Sequence, residues 1–412
     1  MQATTLTRRR MMFLGATSGL GLATLGRWPA HAAAPWPTQR GDGTTFGDSE
    51  RFIGEMLHVG DPLADAVVAE LVLLGSDGKK FLQSGIAQGL KSLADPPPAL
   101  AAFLRANETI PPWVTPSTYT GGSRTFMSIP LPAHALTLAL GALTHTYSSP
   151  AIAAVLIGTG ELINSTQRRL LETTDWLLRC MQPGALRVGG RGYVATLQVR
   201  MLHAQARART LANGWNVAAF GTPISQVDLA RTWLDFLPIS YGCLSRLGYD
   251  LTSNEISDLY RTWWYIAHLL GIDPRFYRSI TDHTTARRLL TLVDATNQPP
   301  DANSRALVTE SVRATSGLFS LATVLPPISA ETVNATFRHI NGDPISDLYA
   351  IRRTPAQALI PPTALATRNT RTLARAIPLT WNTQIKFNES LTETFLNLLP
   401  TSAYANGGYA HK

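Results

Sequence analysis

The stretch Gly190-Arg-Gly-Tyr-Val-Ala-Thr-Leu-Gln-Val-Arg-Met-Leu-His-Ala-Gln-Ala-Arg-Ala-Arg209 decides the reading of the chain. From Tyr193 onward it holds neither proline nor glycine, and it carries two helical stripes. Val194, Leu197, Met201, Ala204 and Ala208 recur every three or four positions and form an apolar face suited to a core. Thr196, Arg200, His203 and Arg207 recur in the same way on another face, so an arginine stands one turn to either side of His203. Two permanent cations beside an imidazole oppose its protonation, which predicts a neutral His203 with a free nitrogen lone pair. Such a histidine can ligate a metal, and the arginines can pair with anionic groups of a metal cofactor; haem, with an iron and two propionates, meets both demands. The same spacing also fits a hydrogen-bonded histidine on a half-buried helix with solvated arginines.

Leu186-Arg-Val-Gly-Gly-Arg-Gly-Tyr193, running into Val199-Arg-Met-Leu-His-Ala-Gln-Ala-Arg207, resembles the latex clearing proteins. These belong to a wider family of haem oxygenases that includes the prenyl-cleaving oxygenase of mycophenolic acid biosynthesis. The resemblance implies that His203 is the axial ligand of the haem iron and that Arg200 and Arg207 hold the propionates.

The chain has 412 residues, 45% of them hydrophobic, and a formal net charge of +8. Four arginines and no acid fall in the first 32 residues, which leaves +4 for the rest. No basic face is clustered enough for nucleic-acid binding. Thr7-Arg-Arg-Arg-Met-Met-Phe-Leu14, an apolar run to Leu25 and Ala30-His-Ala32 read as a charged region, a short apolar region and a cleavage site. Arg9-Arg10 before Met12-Phe13-Leu14 resembles a twin-arginine export signal. Residues 1–32 are therefore read as a signal handled by the twin-arginine machinery, and residues 33–412 as one exported domain, extracellular or periplasmic. Cys180 and Cys243 are the only cysteines, and whether they pair is not legible from sequence. Neither belongs to a Cys-x-x-Cys-His motif, so any haem is non-covalent.

Helical patterns follow at about 48–58, 63–74, 79–93 and 99–106, with a break forced at Asp95-Pro-Pro-Pro98. Asn107 to Pro132, rich in Pro, Gly, Ser and Thr, reads as a long loop. No charged residue occurs from Thr125 to Gly160, where Ala133–Tyr147 and Ala151–Gly158 look helical. His134, His145, several threonines and Pro150 make these buried core helices, walling an apolar cavity, rather than a membrane span. On a helix over Gln167–Met181, Arg168, Glu172, Asp175 and Arg179 share an exposed face, Leu171, Thr174, Leu178 and Met181 form the buried stripe, and Arg169, Thr173 and Trp176 lie at its edge. Ser225 with Asp228 fits a capping box, and Tyr260-Arg-Thr-Trp-Trp-Tyr265 is an aromatic core helix. Helices continue at about 284–297, 304–323 and 330–340, and the segment beyond Arg352 reads as a mobile, Pro- and Thr-rich tail. With no repeat and no period-two alternation, the fold class is all-α.

Gly190-Arg-Gly192-Tyr-Val-Ala195 matches a dinucleotide fingerprint by letter, but no βαβ unit surrounds it. Zinc-protease and nucleophile-elbow motifs are absent, and His58, His134, His145, His268, His283, His339 and His411 show no paired ligand spacing.

Over roughly 133–347 the resemblance implies a globin-like helical core with one b-type haem and O2 as co-substrate. It implies cleavage of the double bonds of a hydrophobic polymer, such as polyisoprene, to aldehyde and ketone ends. On the distal side the family has an arginine and, four residues later, a threonine, which Arg169 and Thr173 match. Where some latex clearing proteins place a lysine before that threonine, this chain has Glu172. Where the family often supplies a glutamate base, it has Ile152-Ala-Ala-Val-Leu156; the nearest acids are Glu161 and Glu172. Either the enzyme works without that base or its substrate differs. A smaller prenyl or lipid substrate, and an exported haem-binding protein without activity, remain alternatives.

Overall fold

The computed structural model describes residues 47–158, 162–321 and 328–398, which are helical with no strand among them. All fall within the compact unit Ala33–Lys412. The export signal, Glu161 and the last residues of the tail lie outside the described residues.

The helices are α1 (Gly47–Met56), α2 (Pro62–Gln88), α3 (Pro98–Glu108), α4 (Gly121–Met127), α5 (Leu131–Thr137), α6 (Leu143–Tyr147) and α7 (Pro150–Gly158). There follow α8 (Leu162–Cys180), α9 (Arg191–Ala212), α10 (Val217–Phe220), α11 (Gln226–Leu234), α12 (Ser240–Arg246) and α13 (Ser253–Leu269). The remainder are α14 (Pro274–Tyr277), α15 (His283–Asp294), α16 (Ala302–Leu321), α17 (Ala330–Leu348), α18 (Ile360–Ala376) and α19 (Pro378–Leu398). Local chemistry sets their starts. Asp61 accepts from the Ala64 amide ahead of Pro62 at the N-terminus of α2, and the expected Ser225/Asp228 capping box opens α11.

From Thr125 to Ala151 the uncharged run is largely buried as expected, whereas α7 alternates buried with half-buried residues and ends on the exposed Gly158. His134 is stacked on Phe126 with ring centroids 3.7 Å apart, and its Nε2 lies 3.0 Å from the Phe126 carbonyl. No single helix among the described residues is long and apolar enough to cross a membrane; Pro116–Met127 and Leu131–Tyr147 meet at 92°. A π-helical turn, Leu138–Ala142, joins α5 to α6, and a second, Asp235–Ile239, contains Pro238, whose missing N–H favours a widened turn. The aromatic helix α13 lies in the core, with Tyr260, Trp263 and Tyr265 all buried.

Three expectations need correction. The segment 107–132 is not one loop: it holds a short turn at Pro116–Tyr119 and helix α4, packed on α13. Its glycines serve close approach, since a Cβ on Gly122 would stand 2.4 Å from Thr262 Oγ1. The tail beyond Arg352 folds into α18 and α19, anchored where Arg371 donates to the Ser128 carbonyl and Asn388 to the Met127 carbonyl. The charged face of α8 is not exposed: Glu172 and Asp175 are buried, and only Arg168 of the four is exposed.

A buried charge network ties α6, α11, the second π turn and α15 together. His145 Nδ1 is 2.6 Å from Asp235 and its Nε2 is 3.1 Å from Asp294, while Arg231 donates to Asp294 at 2.9 Å. Burial and Arg231 push His145 down, but Asp294 and Asp235 outweigh them and hold its pKa at about 9. Cys180 and Cys243 are free thiols, both buried.

Candidate functional site

Helix α9 packs against α7, α8 and α2 and presents the residues singled out in the sequence. Its approach to α8 depends on Gly192: a Cβ there would stand 2.8 Å from the Arg179 carbonyl and from the Cys180 Cα. The pair is then pinned by Trp176 Nε1, which donates to Thr196 Oγ1 at 3.2 Å, and by Thr196, which donates to the Gly192 carbonyl at 2.7 Å. Both stripes of α9 are largely enclosed. Leu197, Met201 and Ala204 are buried on one, and Thr196, Arg200 and Arg207 on the other.

His203 is half-buried. Its Nδ1 is enclosed and meets no hydrogen-bond partner among the described residues. A buried polar atom left unmatched costs about 1–3 kcal/mol, which a bound group satisfying it recovers. Burial is the main cause that lowers the His203 pKa to about 4, with Arg207 adding to it and Asp61 opposing. The ring is therefore neutral at pH 7 as expected, but the cause is burial first and, of the two flanking arginines, Arg207 alone.

Those arginines are engaged within the protein and are not solvated. Arg200 donates from Nε to Asp61 Oδ2 at 2.6 Å and from Nη2 to Asp61 Oδ1 at 2.9 Å, and its Nη1 reaches Asn107 Oδ1 at 3.1 Å. Arg207 pairs with Asp65 and donates to the carbonyls of Pro223 at 3.1 Å and Ile224 at 2.8 Å. In this arrangement both tie α9 to the first two turns of α2. Their carboxylate partners were not singled out in the sequence; the one available signal was Asp61 before Pro62, a helix-start pattern.

On α8, Arg169 is half-buried and donates to the Leu156 carbonyl of α7 at 2.8 Å. Its charge also reaches Tyr147, whose hydroxyl is nonetheless pushed up to about 12 by burial. Thr173 is half-buried one turn on. Glu172 is held by Arg168 at 2.7 Å, and α7 carries no acid among Ile152 to Leu156. The site residues thus sit on two packed helices, with α7 touching α9 and tied to α8 through Arg169. A cleft of about 700 Å³ beside the Arg200–Asp61 pair, walled by Asn107, Trp113 and His268, is separate: His203, Arg169 and Thr173 do not line it.

A neutral histidine with an unmatched buried nitrogen is a donor set that suits a haem iron. No group of three or more metal-ligating side chains occurs among the described residues.

The family model described as "ER-bound oxygenase mpaB/B'/Rubber oxygenase, catalytic domain" matches residues 131–377, more than half of the chain. A solved structure, described as latex clearing protein LCP in the closed state, is similar with a TM-score of 0.61 and 18% identity, over 84% of this chain and 92% of that one. No curated protein matches the chain. The all-helical fold is therefore that of the latex clearing protein, and the chain belongs to the oxygenase family that comprises the mpaB enzymes and the rubber oxygenases.

Proposed function

We propose that the protein is an exported, b-type haem dioxygenase that cleaves carbon–carbon double bonds of a polyprenyl chain such as cis-1,4-polyisoprene. One oxygen atom of O2 goes to each carbon of the broken bond, giving a ketone and an aldehyde end with no further oxidant. His203 carries this reading: its ring is neutral, and its enclosed Nδ1 finds no partner among the described residues.

In this proposal His203 holds the iron of a non-covalent haem, which supplies the chemistry that activates dioxygen. Arg200 and Arg207 fix α9 against α2 through Asp61 and Asp65, and would be the cations available to the carboxylates of a haem. Arg169, at the edge of the α7–α8 contact, would supply hydrogen-bond donors to the oxygen substrate, and Thr173 would add a hydroxyl. The apolar helices α5 to α7 exclude water from the hydrocarbon.

A smaller prenyl or lipid substrate is the second reading. The acid-free stretch Ile152–Leu156 favours it, together with the engagement of Glu172 by Arg168. Purified protein is incubated with polyisoprene latex and, separately, with a short prenyl compound, following oxygen uptake and carbonyl products. Carbonyl ends from latex support the first reading, and products from the short compound alone support the second. Haem without oxygen uptake on either defeats both.

A further inference from the structure

Helix α18 is amphipathic in the reverse sense. Its three arginines are paired with the rest of the protein: the exposed Arg368 donates to Asp250 at 2.5 Å, Arg371 is buried against Ser128 and over the rings of Tyr249 and Trp381, and Arg375 donates to Glu255 at 2.7 Å. Its other face, about 120° wide at 100° per residue, carries Pro362, Leu365, Ala366, Asn369, Leu373, Ala376 and Ile377, all exposed. On α19, Leu379 (78% exposed) and Phe387 (62%) stand about two turns apart among exposed polar residues and Lys386, while the opposite face buries Ile385, Asn388, Thr392 and Phe395. Seven of the fourteen exposed large apolar residues among the described residues lie between Leu359 and Leu398. Leu365, Leu373, Leu379, Phe387 and Leu398 among these lie on α18 and α19 themselves, with Ile377 between the two helices, and exposure of this kind marks an interaction surface.

We propose that the outward face of α18 and α19 is where the enzyme adsorbs to the uncharged surface of dispersed hydrocarbon, the form in which a long polyprenyl substrate exists in water. The inference rests on the polyprenyl reading given above. Charge selects this occupant. The exposed stripe of α18 itself carries neither an acid nor a base: Arg371 and Arg375 are turned inward onto Ser128 and Glu255, Arg368 pairs with Asp250 outside the stripe, and the exposed Lys386 lies on α19. An anionic membrane would therefore meet no cation on the exposed stripe of α18. A second copy suits the face poorly, because the exported domain of each copy carries a formal charge of +4 and a stable interface needs roughly 20–30 residues a side.

The test compares the full-length holoprotein with a Leu373→Gln/Leu379→Gln/Phe387→Gln variant, whose changes are all exposed and leave the arginine contacts intact. Leu73→Gln, at a position 86% exposed on α2, is the control for loss of apolar surface elsewhere. Co-sedimentation with polyisoprene particles is measured without following turnover. The triple variant should lose at least about tenfold in partitioning, since burying one such side chain is worth about tenfold or more, while Leu73→Gln keeps it. Turnover on a short soluble prenyl compound should stay unchanged in the triple variant. Equal partitioning of wild type and triple variant overturns the proposal. So does preference for phosphatidylglycerol vesicles over polyisoprene, or a wild-type dimer that the triple variant converts to monomer in sedimentation. If the wild type adsorbs through this face yet makes no carbonyl product, the polyprenyl oxygenase reading fails while the docking surface stands.

Discussion

Arg200 closes on Asp61 through two hydrogen bonds, at 2.6 and 2.9 Å, and so joins the helix of His203 to the N-cap of α2. Both side chains are buried, at 8% and 5% exposure. One carboxylate thereby caps a helix, neutralises the cation one turn before His203 and orients that helix.

Removing one partner strands the other charge. Asp61→Ala should destabilise the protein by about 3–5 kcal/mol, the range for breaking a buried pair, and should loosen haem binding through α9. Asp61→Ala/Arg200→Met should recover part of that loss. Urea unfolding of Asp61→Ala, Arg200→Met and the double variant measures it, and additive effects of the two single changes would rule out the pairing.

The histidines set opposite limits on stability with pH. His134, His203, His268 and His283 are all lowered to about 4, chiefly by burial. An unfolded chain binds these protons near pH 6.5 and the folded one does not, so stability falls as pH drops from about 6.5 toward 4. His145, held at about 9, works the other way: its contribution is complete below about 6.5 and is lost as pH rises through 9. Thermal melting should therefore peak near neutrality, and His145→Asn should remove the alkaline limb while leaving the acid limb. Haem retention should persist to about pH 5, because His203 keeps its lone pair. His203→Ala should abolish the Soret band, and cold acid–acetone should extract the haem from the parent protein.

Export is tested separately. With Arg9-Arg10 ahead of Met12-Phe13-Leu14, Arg9→Lys/Arg10→Lys should leave the protein inside the cell. Normal appearance of the double variant outside, by fractionation and immunoblot, would mean the general secretory route.

What could be read from sequence was local periodicity. Helix α9, its two stripes, the Ser225 box and the core position of Tyr260 to Tyr265 all follow from spacings of three and four. The partners of Arg200 and Arg207 could not be read, because Asp61 and Asp65 stand 139 and 142 positions away. Glu172 was misplaced because an i, i+4 pair with Arg168 reads the same on a solvated face as on a packed one. Helix α18 was missed since its polarity is reversed: its arginines look like a solvent face and its leucines like a core face. The glycines of α4 look like loop residues until the close approach of α13 is known.

The contact between α8 and α7 separates turnover from stability. Arg168→Ala removes an ion pair at 2.7 Å from the buried Glu172, so it should not be silent. Because Arg168 is itself 54% exposed, its loss should cost only about 1 kcal/mol of stability, with turnover per haem unchanged. Glu172→Gln keeps the shape but weakens the bond and should behave likewise. Arg169→Ala removes the donor to the Leu156 carbonyl and the cation at the α7–α8 edge, and should lower kcat by about 10²–10³. Thr173→Ala removes one hydroxyl and should lower kcat roughly fivefold, about 1 kcal/mol, with haem retained. The measurements are haem content by Soret absorbance, thermal midpoint and oxygen uptake per haem. Should Glu172→Gln lose activity with haem and midpoint intact, Glu172 is the missing base and its pairing with Arg168 is an arrangement the enzyme must leave to react.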